Sequence, residues 1–267
     1  TDMIFYALKV SPPLLDALEQ GQTPSLQADY SKENAISFRK AITKVVRPVV
    51  VSAVLRNIKF DIQSYNSFID LQDKLHMNIC RRRTLCSMGT HDYDKVSFPV
   101  TYEAHAPKDI KFKALKQTKE MNCVELFKVL GEDQKLKKFL PIIADSPVYP
   151  VFYDAKRTVL SLPPIINSDS TKISLNTKNV FIEITGTDLT KCQIVLAILC
   201  AQFSEHCEGK DKFTVEPVEV IYEDDGKKLV TPCLDIETFE VEIEYICRLL
   251  GIQLTPDQIN KASVKRG

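Results

Sequence analysis

Val180-Phe181-Ile182-Glu183-Ile184-Thr185-Gly186-Thr187-Asp188 passes from a strand pattern to a helix start. β-Branched and aromatic residues favour extended chain, and alternate residues of a strand share a face. Val180, Ile182 and Ile184 are therefore expected to point into a core while Phe181, Glu183 and Thr185 look out the other way. A carboxylate held between an aromatic ring and a hydroxyl can accept a hydrogen bond from a ligand. Gly186 has no Cβ and lets another backbone or a ligand approach closely. Thr187 or Asp188 can cap the helix that follows, whose first turn presents free N–H groups and partial positive charge. The pattern predicts a polar pocket where strand meets helix. A solvated strand face with a routine cap is the competing reading.

Downstream, Asp188 to about His206 carries the strongest helical pattern, with Ile194, Val195, Ile198, Leu199 and Phe203 expected inside. FTVEPVEVIY (213–222) and KLVTP (228–232) read as strands flanking the EDDGK turn. IETFEVEIEYICRLLGI (236–252) opens a compositional shift, and Thr255-Pro256-Asp257 signals a further helix start. Upstream, KISL (172–175), the pair VYPVFYDA (148–155) and TVLSLPPII (158–166), DIKFKAL (109–115), PVTYEAHA (99–106), TLCSMG (84–89) and the Val/Ile-rich segment 47–60 read as strands. NCVELFKVLG (122–131) reads as a helix closed by Gly131, and EDQKLKKFL (132–140) as a basic one ended by Pro141. Asp61 can cap a helix from Ile62 to about Arg81, with Tyr65, Phe68, Ile69, Gln72, Leu75, His76 and Ile79 on one inward face. Arg81, Arg82 and Arg83 then read as cations at a helix C-terminus or, alternatively, as a phosphate-binding patch. A short helix after Pro12-Pro13, stopped by Gly21, and a loop to about Ser31 complete the N-terminal part. Strands and helices neither alternate nor repeat at a fixed period, so the expected class is α+β: a mixed sheet with flanking helices.

A second segment, Leu160-Ser161-Leu162-Pro163-Pro164-Ile165-Ile166-Asn167-Ser168, departs from a plain strand. Two prolines stiffen the backbone and remove two N–H donors. One reading is a rigid wall, with Pro163 in it, that offers Ser161 and Asn167 to a ligand; the other is a strand exit with Asn167 in a turn. Gly89-Thr90-His91-Asp92-Tyr93-Asp94 is a weaker candidate through His91, as are Ser87, Phe112 and Tyr153.

Composition narrows the class. The chain has 267 residues, 44% hydrophobic and 26% charged, with 8 Gly and 14 Pro, which excludes collagen-like, coiled-coil and disordered chains. The apolar run Ile194–Ala201 is far short of the ~20 residues that cross a bilayer. TDMIFYALKV has no signal-peptide pattern, and a start at Thr1 with an end inside a helical pattern suggests a piece of a longer protein. Thirty-five basic residues balance 35 acidic ones, so any RNA contact relies on local patches, and no DNA or membrane partner is expected. Eight cysteines at 80, 86, 123, 192, 200, 207, 233 and 247 never form a CxxC pair and read as reduced core residues, with no metal-ligand spacing. No Walker loop, GxGxxG, GxSxG or HExxH is present.

Taken in order, VRPVVVSAVLRNIKF, LHMNICRRR, CSMGTHDYDKV, DIKFKAL, YPVFYD, VLSLPPIINSDST and NVFIEITGTDLTK resemble the editing region of the phenylalanine–tRNA ligase beta subunit, archaeal and eukaryotic cytosolic type. The resemblance runs from about Val46 to Val220, and LSLPPIIN and FIEITGTD at their separation are its most specific parts. It implies an end of a preceding module over 1–44, an editing domain over 45–232 and, from GIQLTPDQINKASVKRG, the start of a following small module over 233–267. It further implies a cytoplasmic protein-synthesis enzyme that attaches phenylalanine to its tRNA, working as a heterotetramer with an alpha subunit that carries the site for ATP and Mg2+. This chain itself would hold no cofactor or metal. The resemblance gives it hydrolysis of mischarged tyrosyl-tRNA, with water and substrate-assisted chemistry in place of a protein nucleophile. Glu183 would accept the tyrosyl O–H, Phe181 would help hold the ring, and Ser161, Asn167, Pro163, Thr185 and Gly186 would shape the pocket. His91 would orient the amino-acid end. The logic is sound physically, because tyrosine differs from phenylalanine by one hydroxyl, and a buried group that bonds it can discriminate by ~10⁴–10⁵. A non-catalytic tRNA-binding or subunit scaffold with an inactive site is the alternative, and a free-standing hydrolase of small esters a third.

Overall fold

A computed structural model of the chain describes residues 35–38, 46–203, 206–208, 215–222, 226–233 and 241–264. The described residues 35–233 fall in one compact unit and 241–264 in a second. The helix expected after Pro12-Pro13, the loop to Ser31, most of the EDDGK turn and residues 236–240 lie outside the described residues.

In the larger unit, β1 (Ala35–Phe38), β2 (Val49–Leu55), β3 (Cys86–Asp92), β4 (Val100–His105), β7 (Tyr149–Tyr153), β8 (Val159–Leu162), β9 (Ile166–Asn167), β10 (Val180–Gly186), β11 (Val215–Tyr222) and β12 (Lys228–Thr231) build one mixed sheet. Its order is β3-β10-β2-β11-β1-β4-β7-β8-β9, with β12 on the edge of β11. β1 lies parallel to β11 and β4; the other described neighbours are antiparallel. β1 thus joins the two halves of the sheet, although it falls in the stretch 1–44 that the family resemblance assigns to a preceding module. A separate ribbon pairs β5 (Lys111–Phe112) with β6 (Met121–Asn122). Strands and helices are mixed in the α+β manner expected.

The sheet curls until its ends meet. The Asn167 amide of β9 donates to the Thr90 carbonyl of β3 at 3.3 Å, and the Ser161 hydroxyl of β8 donates to Glu183 of β10 at 2.8 Å. That closure corrects the reading of β10 as one-faced: every residue from Val180 to Gly186 is buried. The Phe181 face turns into the curl, where Phe181 clusters with Val50, Tyr102, Phe152 and Leu160. Helix α3 (Leu189–Phe203) packs over β2 and β10. A solvated strand face is excluded.

Helix α1 (Ile62–Met77) begins where the sequence places it, with reciprocal capping: Asp61 Oδ1 accepts from Ser64 N–H at 2.6 Å and Ser64 Oγ accepts from Asp61 N–H at 2.9 Å. It ends at Met77, before the arginines. Arg81, Arg82 and Arg83 follow in the left-handed region, at φ 45°, 54° and 68°, so they are not last-turn cations. α2 (Cys123–Glu132) runs through Gly131 rather than ending at it, because Asn122 and Glu125 cap its start and nothing interrupts its ladder until Asp133. No second helix covers 132–140: Asp133 Oδ1 takes the N–H groups of Lys135 and Leu136, and the chain folds as turns into a 3-10 turn at Leu140–Ile142. KISL is likewise a turn, with the Ser174 N–H donated to Thr177 Oγ1 at 2.9 Å.

In α3 the buried face is Cys192, Val195, Leu196, Leu199, Cys200 and Phe203; Ile194 is 40% exposed and Ile198 partly so. A run apolar on all sides does not choose its own face, and the sheet chose it. The eight cysteines are free thiols, seven of them buried. In the second unit, α4 (Ile243–Leu250) closes at Gly251 with φ 69°, and α5 (Pro256–Val264) starts at the Thr255-Pro256 signal. No helix among the described residues is long and apolar enough to cross a membrane.

Candidate functional site

A cavity of about 270 Å³ opens between the end of α1, β3 and the proline segment after β8. Pro163 and Pro164 form one wall; Gln72 and His76 of α1 face it; Met88 and Glu183 lie at its buried end. The exposed Lys116, Asp133 and Lys135 border its open side. The volume is below the ~300–1,000 Å³ of sites for drug-sized ligands, which suits one amino acid rather than a nucleotide.

Glu183 is 2% exposed. Its Oε1 accepts the Ser161 hydroxyl at 2.8 Å, while Oε2 has no partner. Burial pushes this carboxyl above the usual carboxylate range, against the opposing pull of His91, Ser161 and Arg47. The His91 ring is fully buried, with Nδ1 at 2.8 Å from Thr171 Oγ1 and Nε2 at 3.9 Å from Glu183 Oε1, too far to bond it. Space for the Glu183 carboxylate comes from Gly89, its register partner on β3. A Cβ there would fall inside the contact distance of Glu183 Oε1 and 3.0 Å from Asn167 Oδ1.

Arg47, 1% exposed, sits beneath the site and donates to five acceptors, one of them Ser87 Oγ at 3.4 Å. Its Nε donates to Thr185 Oγ1 (3.1 Å), one terminal nitrogen to Thr185 O (2.7 Å), and the other to Arg83 O and Thr84 O (3.2 and 3.4 Å). Burial lowers the pKa of Arg47, and that of Arg83 to about 10. Arg83 turns inward over the Phe139 ring and donates to Pro164 O and Ile165 O at 3.1 and 3.0 Å, locking the proline wall to the turn after α1.

Of the residues singled out from the sequence, Glu183, Asn167 and Pro163 line the cavity, and so does Ser87. Ser161 stands behind Glu183 and holds it. Phe181 lies in the curl of the sheet, edge-on to Phe98 at 5.3 Å between centroids, and is not a cavity wall. Thr185 answers to Arg47. Gly186 serves packing: a Cβ there would strike Cys192 Sγ and Leu85 O. Phe112 and Tyr153 belong to a separate core cluster. Arg83 is not the last-turn cation that one reading of its run suggested, and Arg47 and His76 carried no functional signal in the sequence. For Gly89 the lone hint was a small residue inside a strand pattern.

Among the described residues, the buried side-chain nitrogens and oxygens without a hydrogen-bond partner are His76 Nδ1, Arg83 Nε, His91 Nε2 and Glu183 Oε2. Three belong to cavity-lining residues and the fourth sits beside Glu183. Buried polar atoms are ordinarily satisfied, so this concentration makes the cavity the candidate site of the molecule.

A B3/4 domain model matches residues 38–198. The chain is 52% identical over 244 residues to the cytoplasmic phenylalanine–tRNA ligase beta subunit of Arabidopsis thaliana, covering 91% of this chain and 40% of that protein. It is 50% identical over 275 residues to the Homo sapiens beta subunit, covering 98% and 46%. It therefore spans less than half the length of these relatives. Among solved structures, an N-terminal fragment of the phenylalanyl-tRNA synthetase beta subunit from Pyrococcus horikoshii aligns with a TM-score of 0.73 at 33% identity, covering 84% of this chain and 62% of that one.

Proposed function

Since the chain belongs to the B3/4 domain family and is similar along most of its length to phenylalanine–tRNA ligase beta subunits, we propose that it is the proofreading part of such a ligase, hydrolysing tyrosyl-tRNA. The carrying observation is Glu183 Oε2: a buried acceptor with no partner, at the closed end of an amino-acid-sized cavity. A phenol O–H donates to it; a benzene ring leaves it unsatisfied, at a cost of about 1–3 kcal/mol. Ser161 keeps Oε1 occupied, so the carboxyl presents one defined oxygen. His91 Nε2, also without a partner, lies 3.9 Å from Glu183 Oε1, which in this reading puts it beside the phenol and not at the amino-acid end that the resemblance implied for it.

Water adds to the ester carbon, the bond to the ribose oxygen breaks, that oxygen takes a proton, and tyrosine and intact tRNA leave. The proline wall and the Arg83 clamp hold the ester in place, and Lys116 and Lys135 on the open side give RNA phosphate a local cationic border. In this reading the parent enzyme is a heterotetramer with an alpha subunit and, like its Arabidopsis relative, cytoplasmic. ATP and Mg2+ serve the ligation step in that subunit. Among the described residues of this chain, no group of three or more His, Cys, Asp or Glu side chains is arranged to hold a metal.

The test is deacylation of tyrosyl- and phenylalanyl-tRNA by the chain and by the full heteromer. Glu183→Ala is expected to slow tyrosyl-tRNA hydrolysis at least tenfold while the melting curve stays cooperative. Hydrolysis as fast as the parent's would refute the recognition role.

A further inference from the structure

The four unsatisfied atoms are not of one kind. Glu183 Oε2 is an acceptor, whereas His76 is shown by its other nitrogen to be a donor. The Met88 backbone N–H donates to His76 Nε2 at 2.9 Å. A peptide N–H cannot accept, so Nε2 must hold a lone pair, and the ring's one proton must sit on Nδ1. Nδ1–H is thus a buried donor with nothing to receive it, on a side chain that lines the cavity opposite the proline wall. Two constraints keep it so. Met88 lies on β3, in register with Ile184 of β10, so the bond holding the tautomer is anchored in the sheet. The cationic Arg47 and Arg83 nearby, together with burial, disfavour a second proton on the ring.

We infer that the cavity has two recognition poles, and that His76 Nδ1–H is a substrate-binding donor for a carbonyl or carboxyl oxygen at the ligand's other end. The inference rests on the phenol reading of Glu183 and extends it: the ligand class is a phenolic amino acid joined through its carbonyl. A phenol without a carbonyl satisfies only one pole. Ser161 and Pro163 do not enter this second contact; Gln72, one turn before His76 on α1, flanks it.

The experiment compares tyrosine methyl ester with tyramine, which keeps the phenol and amine but lacks the carbonyl, by calorimetry on the 267-residue chain. The ester is expected to bind about tenfold more tightly, the worth of one hydrogen bond to a buried donor. His76→Gln places an amide oxygen where Nε2 accepted from Met88 and removes Nδ1–H; the ester-to-tyramine ratio should fall to near one. Glu183→Gln should weaken both ligands and leave their ratio standing. A parent ratio near one, or a ratio that survives in His76→Gln, overturns the second pole. Unchanged affinities in Glu183→Gln overturn the phenol reading instead, and a chain that binds neither ligand overturns both. Imidazole ¹⁵N spectra of the parent chain read the tautomer directly, with no variant needed. The neutral Nδ1–H tautomer, shifting with the ester and not with tyramine, is expected, and an Nε2–H ring at rest refutes the proposal.

Discussion

Gly89 and Glu183 face each other across β3 and β10, and the missing Cβ of one is the room for the carboxyl of the other. Gly89→Ala should therefore push the carboxyl off Ser161 and away from its place at the closed end. Tyrosyl-tRNA deacylation is expected to fall about as far as in Glu183→Ala, and an alanine variant with parental rates would show that the register contact is not needed. Glu183 also links to stability. Its carboxyl is raised above the ordinary range by burial, so the native state holds that proton more tightly than the unfolded chain does. Its favourable contribution is complete below the ordinary carboxyl pKa of 4.5 and is lost as pH rises through the raised value. Glu183→Gln, which cannot ionise, should melt higher than the parent at about pH 8, with the gap closing toward about pH 5. A gap that widens in acid would reverse the sign of the argument. A buried, half-satisfied carboxyl costs stability once it ionises.

At the scale of elements, Arg47 does what no single strand can. From the start of β2 it ties the end of β10 to the turn after α1 through Thr185, Arg83 and Thr84. Arg47→Ala would leave several buried acceptors empty and a hole the size of a guanidinium, a loss of about 3 kcal/mol. Chemical denaturation should show it as a lower midpoint at unchanged slope; a parental midpoint would mean the acceptors find water instead. The turn that Arg47 holds carries Arg83, which in turn holds the proline wall. None of this is visible from 81-RRRT-84 read as a helix end, because the helix stops at Met77 and three successive left-handed residues reverse the chain.

For the whole molecule, the decisive strand is β1. It pairs with β11 on one side and β4 on the other, so without it the strand ladder breaks there and leaves two bare edges. The chain begun at residue 45, the boundary that the family resemblance implied, is expected to lose the cooperative thermal transition seen by circular dichroism. The chain cut after Cys233 should keep it, since the described residues 241–264 belong to the other compact unit. Equal melting of both truncations would remove β1 from the account. Closure of the sheet also brings β8 and β9 to β10 and β3, and so assembles Ser161, Asn167 and Glu183 from segments far apart along the chain.

Much was legible in advance, and for local reasons. Alternation, caps and proline placed β10, β8, α1 and α5, and the two polar segments that interrupt apolar patterns, around Ser161–Asn167 and Glu183–Asp188, marked where packing alone would not have asked for such residues. What tertiary structure decided was which faces met. Period-two and period-3.6 patterns say that a residue alternates or recurs, not what lies opposite it. The burial of both faces of β10, the exposed side of α3, the vacancy at Gly89 and the forced tautomer of His76 all arise from contacts between segments distant in sequence or from register across a sheet. Local sequence carries the chemistry of each side chain; long-range closure alone determines which buried donors and acceptors are left without a partner.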